Sequence, residues 1–99
     1  MNDLITRIRE RFDHESQKKI LHEKYQAKMV FAHAGGMWKA GPELLTLLQA
    51  CSNTDLVILD IYQNPVKVKP EELYKLAQQR WQEQMNAWLI EWDQLRRQR

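Results

Sequence analysis

The sequence contains too few cysteines, glycines and prolines for several classes of protein. Its 99 residues include one cysteine, Cys51, so the chain cannot form a disulfide with itself, and a reducing compartment is expected. With three glycines and three prolines it contains no low-complexity segment or flexible linker. Hydrophobic residues make up 43% of the chain, which argues against disorder. Length and composition together predict a single domain over residues 1–99.

Long apolar runs and a strong net charge are also missing. No stretch approaches the ~20 apolar residues that a transmembrane helix needs, and residues 1–10 mix charged and apolar side chains, unlike a signal peptide. We therefore expect no membrane partner and a cytoplasmic location. The formal net charge is +2 and the pI is about 8.8. This basic bias is too weak to indicate nucleic-acid binding by itself.

The histidines and the glycine pair do not form recognisable motifs. His14 and His22 are two helical turns apart, ~12 Å along a helix, which is too far for both to bind one metal ion. Gly35-Gly36 followed by Lys39 lacks the glycine spacing and the Lys-Ser/Thr pair of a phosphate-binding loop. We expect no metal site and no cofactor.

The carboxylates and the cysteine are equally uninformative about catalysis. Asp55 and Asp60 flank a predicted strand, and capping of a hairpin is the favoured role for them rather than acid–base catalysis. Cys51 lies in an apolar helical run, where a small core residue is expected. The sequence therefore predicts a protein that is not an enzyme and has no catalytic residues.

The regular elements can be predicted from periodicity and turn signals. A first helix is expected from Asn2 or Asp3 to about Lys28, and one helix is favoured over two because no glycine or proline interrupts it. The apolar phase nevertheless slips between Phe12 and Ile20, which keeps the two-helix alternative open. A last helix is expected over residues 70–99, opened by Pro70 and two acidic residues.

Turn signals separate these two helices into shorter elements. Gly35-Gly36 divides residues 29–32 from residues 37–40 and predicts a small hairpin. Gly41-Pro42-Glu43 opens a short apolar helix, and residues 56–61 with 66–69 form the second hairpin. We expect an α+β fold: a helix-dominated small domain, with long N- and C-terminal helices, a short central helix and one or two β-hairpins.

Four tryptophans are unusual in so short a chain, and three of them fall on one face of the last helix. At 100° per residue this tryptophan stripe follows one line with approximately heptad spacing. Its proposed partner-binding residues are Trp81, Met85, Trp88, Leu89, Trp92 and Leu95.

Two interpretations of the tryptophan stripe compete. It could be the core face of the domain, packing on the first helix and the hairpins. Alternatively, its distal half could contact another chain, since a helix of ~45 Å is longer than a compact domain of this size is wide. The last turns are then expected to overhang, exposing Trp92 and Leu95 unless the first helix or another chain covers them. We favour the second interpretation, with Trp88 to Leu95 as the contact.

Basic side chains suggest an alternative function. One side of the first helix and the end of the chain could neutralise phosphates in a nucleic-acid-binding regulator. Interspersed acidic residues weaken the local field, so a solvated face is the favoured interpretation. The residues of this alternative are Arg7, Arg11, Lys18, Arg96, Arg97 and Arg99.

Several segments together resemble small proteins of tailed phages of marine cyanobacteria. The resemblance lies in Gly35-Gly36-Met37-Trp38, in Pro42-Glu43-Leu44-Leu45, in the second hairpin over residues 59–68, and in residues 81–97. It implies a phage setting, in the host cytoplasm or the virion, where small helical proteins serve as virion components, assembly chaperones or host-directed regulators. It supplies no catalytic residues.

The leading hypothesis is therefore a non-enzymatic protein-interaction module, a phage-encoded structural accessory or assembly protein. It would self-associate or bind another protein through its tryptophan-rich C-terminal helix. Nucleic acid is the less favoured partner, and a small nucleic-acid-binding regulatory protein is the alternative function.

Overall fold

The computed structural model describes residues 2–51 and 54–97, in the order helix, hairpin, helix, hairpin, helix. This confirms the predicted helix-dominated α+β fold. The predicted end of the last helix at residues 98–99 lies outside the described residues, as do residues 52–53. The elements are α1 (Asn2–Lys28), β1 (Val30–His33), β2 (Gly36–Lys39), α2 (Pro42–Ala50), β3 (Leu56–Leu59), β4 (Pro65–Val68) and α3 (Pro70–Arg97).

The N-terminal third is one helix rather than two. Asp3 lies in its first turn and Lys28 in its last, so both charges suit the helix dipole. The helix ends where the Met29 amide donates to the carbonyl oxygens of Tyr25 and Gln26, at 3.2 and 3.3 Å. The phase slip does not break the helix. It changes which face is apolar along the length of α1.

The first hairpin closes through a two-residue loop, Ala34-Gly35, since His33 pairs with Gly36. Both loop residues have positive φ, 54° and 82°, as the favoured two-residue turn of a hairpin requires. Trp38 on β2 is 2% exposed, and its indole Nε1 donates to the His33 carbonyl at 2.9 Å. Trp38 therefore packs in the core.

The two hairpins meet at Asp60, directly after β3. Its Oδ1 accepts the amides of Tyr62 and Asn64 at 3.0 Å, and its Oδ2 accepts the amide of Met37 on β2 at 3.1 Å. These backbone hydrogen bonds, led by that from Asn64, hold the pKa of Asp60 below its ordinary value. Asp60 thus caps its own turn, as the sequence predicts, and also ties the two hairpins together.

A close approach at Gly36 completes this junction. A Cβ atom at position 36 would lie 3.0 Å from Cγ2 of Val66 on β4 and 3.1 Å from the Trp38 ring. Such distances are shorter than ordinary carbon–carbon contacts. Glycine at position 36 therefore lets the second hairpin pack directly on the first.

The hairpins, α2 and the first turns of α3 enclose one apolar core. We call this part, residues 29–77, the head. Pro42 and Pro70 occupy the first turns of α2 and α3, where the missing proline N–H is tolerated. The buried side chains of the core are Met29, Phe31, Trp38, Ala40, Leu48, Val68, Leu73 and Ala77.

The remaining helical residues form a long antiparallel pair, which we call the arm: residues 2–28 of α1 and 78–97 of α3. The molecule measures 65 × 23 × 20 Å, with a radius of gyration of 18.6 Å. A compact domain of this length would have a radius of gyration of ~13 Å. We predicted an overhang of the last helix from the width of a compact domain. The molecule is elongated, so that premise is wrong.

The overhang lies instead at the start of α1. Contacts of Lys18 with Trp92 and of His22 with Trp88 set the alignment of the two antiparallel helices. Extending that alignment places Arg97 opposite about residue 13 of α1, so roughly ten residues, or ~15 Å, of α1 project past the described end of α3. Leu95 is only 8% exposed, because the first helix covers it.

Candidate protein-interaction surface of the helical arm

Trp88 fills the interior of the arm. Its ring stacks on Tyr25 with 5.8 Å between centroids and 7° between planes, and it meets the edge of His22 at 5.3 Å. Such offset or edge contacts between rings add to the energy of burial. Tyr25 is almost fully buried, and burial is the first cause of its raised pKa. Trp88 therefore serves mainly to join α1 to α3.

Trp92 lies one turn further along and is half-buried. His14 packs against it at a tilt, with 6.3 Å between ring centroids, and Nζ of Lys18 lies 5.7 Å from the ring. A lysine ammonium near an indole face is a favourable cation–π arrangement. His14 itself is 9% exposed, so this end of the arm has an ordered interior and a tryptophan that is only partly covered.

An ion pair also crosses the arm. Nζ of Lys24 lies 2.7 Å from Oε1 of Glu91. This hydrogen bond raises the pKa of Lys24 and lowers that of Glu91. Because both side chains are substantially exposed, the pair contributes more to the alignment of the helices than to the free energy of unfolding.

A shallow apolar groove of about 320 Å³ runs between the helices on one side of the arm. We call it the arm groove. Leu89 forms its outer edge and is 56% exposed. The lining residues are Lys18, His22, Met85, Trp88, Leu89 and Trp92.

The projecting part of α1 carries a second apolar surface, which we call the N-terminal stripe: Leu4, Ile5, Ile8 and Phe12. Their side chains are between 49% and 71% exposed, although all four are large and apolar. On a helical wheel Leu4 and Ile8 lie within ~40° of His22, whereas Phe12 lies ~80° and Ile5 ~100° from it. Leu4 and Ile8 therefore lie on the same side of α1 as the arm groove, and Ile5 and Phe12 lie at the margin of that side.

The sequence did not identify the N-terminal stripe as a site, although it held a signal for it. Leu4, Ile8 and Phe12 follow one helical line, which stops at Phe12, and Leu21 and Tyr25 then take up a different line. After this shift α1 presents Leu21 and Tyr25 to α3, although Ile20 remains 64% exposed.

The structure divides the predicted partner-binding residues into three groups. Trp81 and Met85 are half-buried and pack against the core of the head. Trp88 and Leu95 are used between the two helices. Leu89, Trp92 and the outer part of Met85 remain for a partner. Leu95 is buried because the first helix covers it, which is one of the two coverings that the sequence analysis allowed.

The basic residues of the alternative function do not form an uninterrupted surface. Arg7 and Arg11 line a pocket that also contains Glu10 and Asp13. Lys18 lies over Trp92, and Nη2 of Arg96 is 3.2 Å from Oδ1 of Asp93. Arg97 is exposed in the last described turn, while Arg99 lies outside the described residues.

The head contains a larger cavity, about 440 Å³, bordered by Trp38, Lys39, Asp60 and Trp81. All three hydrogen bonds of the Asp60 carboxylate come from backbone amides of the head itself. Among the described residues, no buried side-chain nitrogen or oxygen lacks a partner. This cavity therefore offers no free buried polar group to a ligand.

Comparisons with protein-family models, curated proteins and solved structures find no match for this chain. Over residues 2–51 and 54–97, no group of three or more histidine, cysteine or acidic side chains is arranged to hold a metal ion. No helix of the same residues has the length and apolar character to cross a membrane. The arm surface is thus the feature on which a functional proposal can be based.

Proposed function

We propose that this chain is a non-enzymatic protein-interaction module whose contact surface lies on the arm. The observation that carries the proposal is the N-terminal stripe, four large apolar side chains projecting into solvent on one helix. Together they expose roughly 400–500 Å² of largely apolar surface, in the range of the largest patch on a typical monomer, which is often functional. The arm groove adds a second apolar surface, on the same side of α1 as Leu4 and Ile8.

The division between head and arm supports this role. The head has its own core and connects the two helices at one end, while the arm extends from it with an ordered interior. A rigid helical surface on a small stable base suits the binding of another protein. The resemblance to phage proteins makes this an accessory or assembly protein, and that part of the proposal rests on the resemblance alone.

The nucleic-acid alternative has weaker support. Phosphate binding depends on basic side chains that are free to neutralise charge. Acidic neighbours accompany Arg7 and Arg11, and Asp93 pairs with Arg96. Binding of duplex DNA that weakens steeply with salt, and that is lost on replacing Arg7 and Arg11 with glutamine, would reverse this preference.

Photo-crosslinking tests the proposed function. Benzoylphenylalanine is placed at Phe12 in one variant and at Leu89 in another, and the proteins are irradiated in the cells that naturally produce the chain. Ile90 is the matched control, because it adjoins Leu89 on the same helix and is 60% exposed, yet lies off the arm groove.

We expect discrete protein adducts from positions 12 and 89 and none from position 90. The mass of the adduct reports whether the partner is another copy of the chain or a different protein. Absence of adducts at positions 12 and 89, or equal adducts at all three positions, would overturn the proposal.

A further inference from the structure

We propose that the occupant of the arm groove is the N-terminal stripe of a second copy of the chain, in a two-fold symmetric dimer. The proposal rests on the proposed function and names its partner. A symmetric dimer needs a surface that is complementary to itself, so that residue i contacts residue j and j contacts i. This chain carries an apolar ridge at Leu4 and Ile8 and an apolar groove on the same side of α1, with Ile5 and Phe12 at the margin of the ridge.

The spacing of the two surfaces along α1 fits such a dimer. The N-terminal stripe is centred near Ile8, and the groove is bordered by Lys18 and His22, centred about residue 20. Their separation is ~18 Å along the helix. If two copies of α1 run antiparallel with their dyad near His14, each stripe lies beside the groove of the other copy.

The projecting length of α1 also fits. In this arrangement Leu4 of one copy lies opposite about residue 24 of the other, just before the head begins at Met29. Ile8 lies opposite about residue 20, where Trp88 and Leu89 border the groove. The roughly ten residues that outrun α3 in the monomer are therefore covered along their length without reaching the partner's head.

The area favours a second copy over a single unrelated helix. A single unrelated helix bound in the arm groove would bury only one contact between a helix and a groove. The symmetric dimer contains two contacts between an N-terminal stripe and an arm groove, so it buries on the order of 1,000 Å² or more in total. This area is at the lower limit for a specific protein–protein interface. The polar residues that border the groove, Lys18 and His22, can keep their polar ends in solvent at the rim.

The first test measures the oligomeric state by light scattering and sedimentation for the full chain and three variants. We expect a dimer for the wild type, and at least a tenfold rise in the dimer dissociation constant for Ile8→Glu and for Leu89→Glu, because each places a charge in an apolar contact. Ile90→Glu is the matched control and leaves the dimer unchanged. All three positions are exposed, so circular dichroism is expected to show folded monomers.

A second test does not depend on destabilising the dimer. In a Cys51→Ser background, Ile8→Cys chains are mixed with Leu89→Cys chains and treated with a short bismaleimide. We expect a crosslink between the two kinds of chain, and none when Ile90→Cys replaces Leu89→Cys. Either single variant alone gives no crosslinked dimer, because the two Ile8 positions lie ~18 Å apart along the helices.

Three results would overturn this dimer. They are a wild-type monomer at the highest attainable concentration, equal loss of dimer in Leu89→Glu and Ile90→Glu, or equal crosslinking of positions 89 and 90 to position 8. A monomer that still forms photo-adducts of another mass at positions 12 and 89 would remove the second copy and leave the proposed function standing. Loss of those adducts would remove the proposed function as well.

Discussion

The head and the arm bury their tryptophans in different ways. In the head, Trp38 is enclosed by strands and helices and has its indole nitrogen bonded to the His33 carbonyl. In the arm, Trp88 and Trp92 lie between only two helices and keep part of their surface in contact with solvent. The two helices leave part of each of these indole rings exposed, whereas the strands and helices of the head enclose Trp38 fully. The same residue type therefore stabilises the head and gives the arm a partly apolar exterior.

The largest expected effect comes from comparing the loss of a tryptophan in the head with the loss of one in the arm. Trp38→Ala removes a fully enclosed ring and is expected to cost ~3–5 kcal/mol of unfolding free energy, whereas Trp92→Ala, at a half-exposed site, is expected to cost less than half as much. Urea denaturation of both variants at a concentration that keeps the chain monomeric measures the difference. Equal losses would mean that head and arm are packed alike.

The next largest effect is expected at Asp60, which joins the two hairpins of the head. Asp60→Ala leaves the amides of Met37, Tyr62 and Asn64 without their acceptor and is expected to lower Tm by about 10 °C. Asp55→Ala is the matched control, because Asp55 forms only an exposed ion pair with Lys67 at 3.7 Å and its loss should change Tm little. Calorimetry measures the change in Tm of each variant. Equal changes in Asp60→Ala and Asp55→Ala would mean that Asp60 does not hold the hairpins together.

The same carboxylate predicts how the stability of the head depends on pH. The pKa of Asp60 is lowered on folding, so its contribution is complete above the ordinary value of 3.8 and is lost as pH falls through the lowered pKa. Between wild type and Asp60→Ala, the difference in Tm should therefore be constant from pH 7 to about pH 5 and shrink below 3.8. A difference that grows on acidification would contradict the direction of the shift.

A local effect is expected at the end of the arm. Leu95→Ala removes a buried contact with α1 and should cost ~2 kcal/mol there, which makes amide hydrogens over residues 88–97 exchange roughly 30-fold faster. Strand amides of the head should exchange as before under conditions of local opening. Ile90→Ala, at an exposed site on the same helix, is the control. Uniform acceleration in both regions would mean that arm and head open as one unit.

The smallest expected effect is a gain of stability in the head. Ala34 has φ of 54°, a left-handed conformation that costs an alanine about 1 kcal/mol. Ala34→Asn creates the Asn-Gly pair that the two-residue turn prefers and should stabilise the chain by ~0.5–1 kcal/mol. Ala34→Val, which is β-branched, should destabilise it. Chemical denaturation measures the free energy of unfolding of both variants. A lower value for Ala34→Asn than for the wild type would contradict the turn assignment.

The elements of the head could be predicted from sequence because their signals are local. Gly35-Gly36 marks one turn, and Pro42 and Pro70 each open a helix. The alternation along Val66-Lys67-Val68 indicates a half-exposed strand. None of these features depends on which other segment it contacts. Asp60 was expected to cap its own turn, and its bond to Met37 was beyond prediction because it joins residues 23 positions apart.

The arm could not be predicted in the same way because its exposure depends on the alignment of two helices. Leu95 and Phe12 both occupy apolar positions of amphipathic helices, yet one is buried and the other is exposed. The contacts of Lys24 with Glu91 and of His22 with Trp88 fix the alignment of the two helices. This alignment determines that Leu95 is covered and Phe12 is not. No local pattern specifies that alignment, so the sequence placed the exposed apolar contact on the last turns of α3, whereas the structure leaves the apolar side chains at the start of α1 most exposed.

The ion pair between Lys24 and Glu91 joins residues 67 positions apart, with the whole head lying between them in sequence. Bringing such distant segments together carries a substantial loop-closure entropy in an unfolded chain. Once the head has folded, α1 and α3 emerge from it side by side, and most of that entropy has already been lost. We therefore expect the head to form first and the two helices to associate from the head outward. The N-terminal stripe, at the end of α1 farthest from the head, is then the final part of the monomer to be placed.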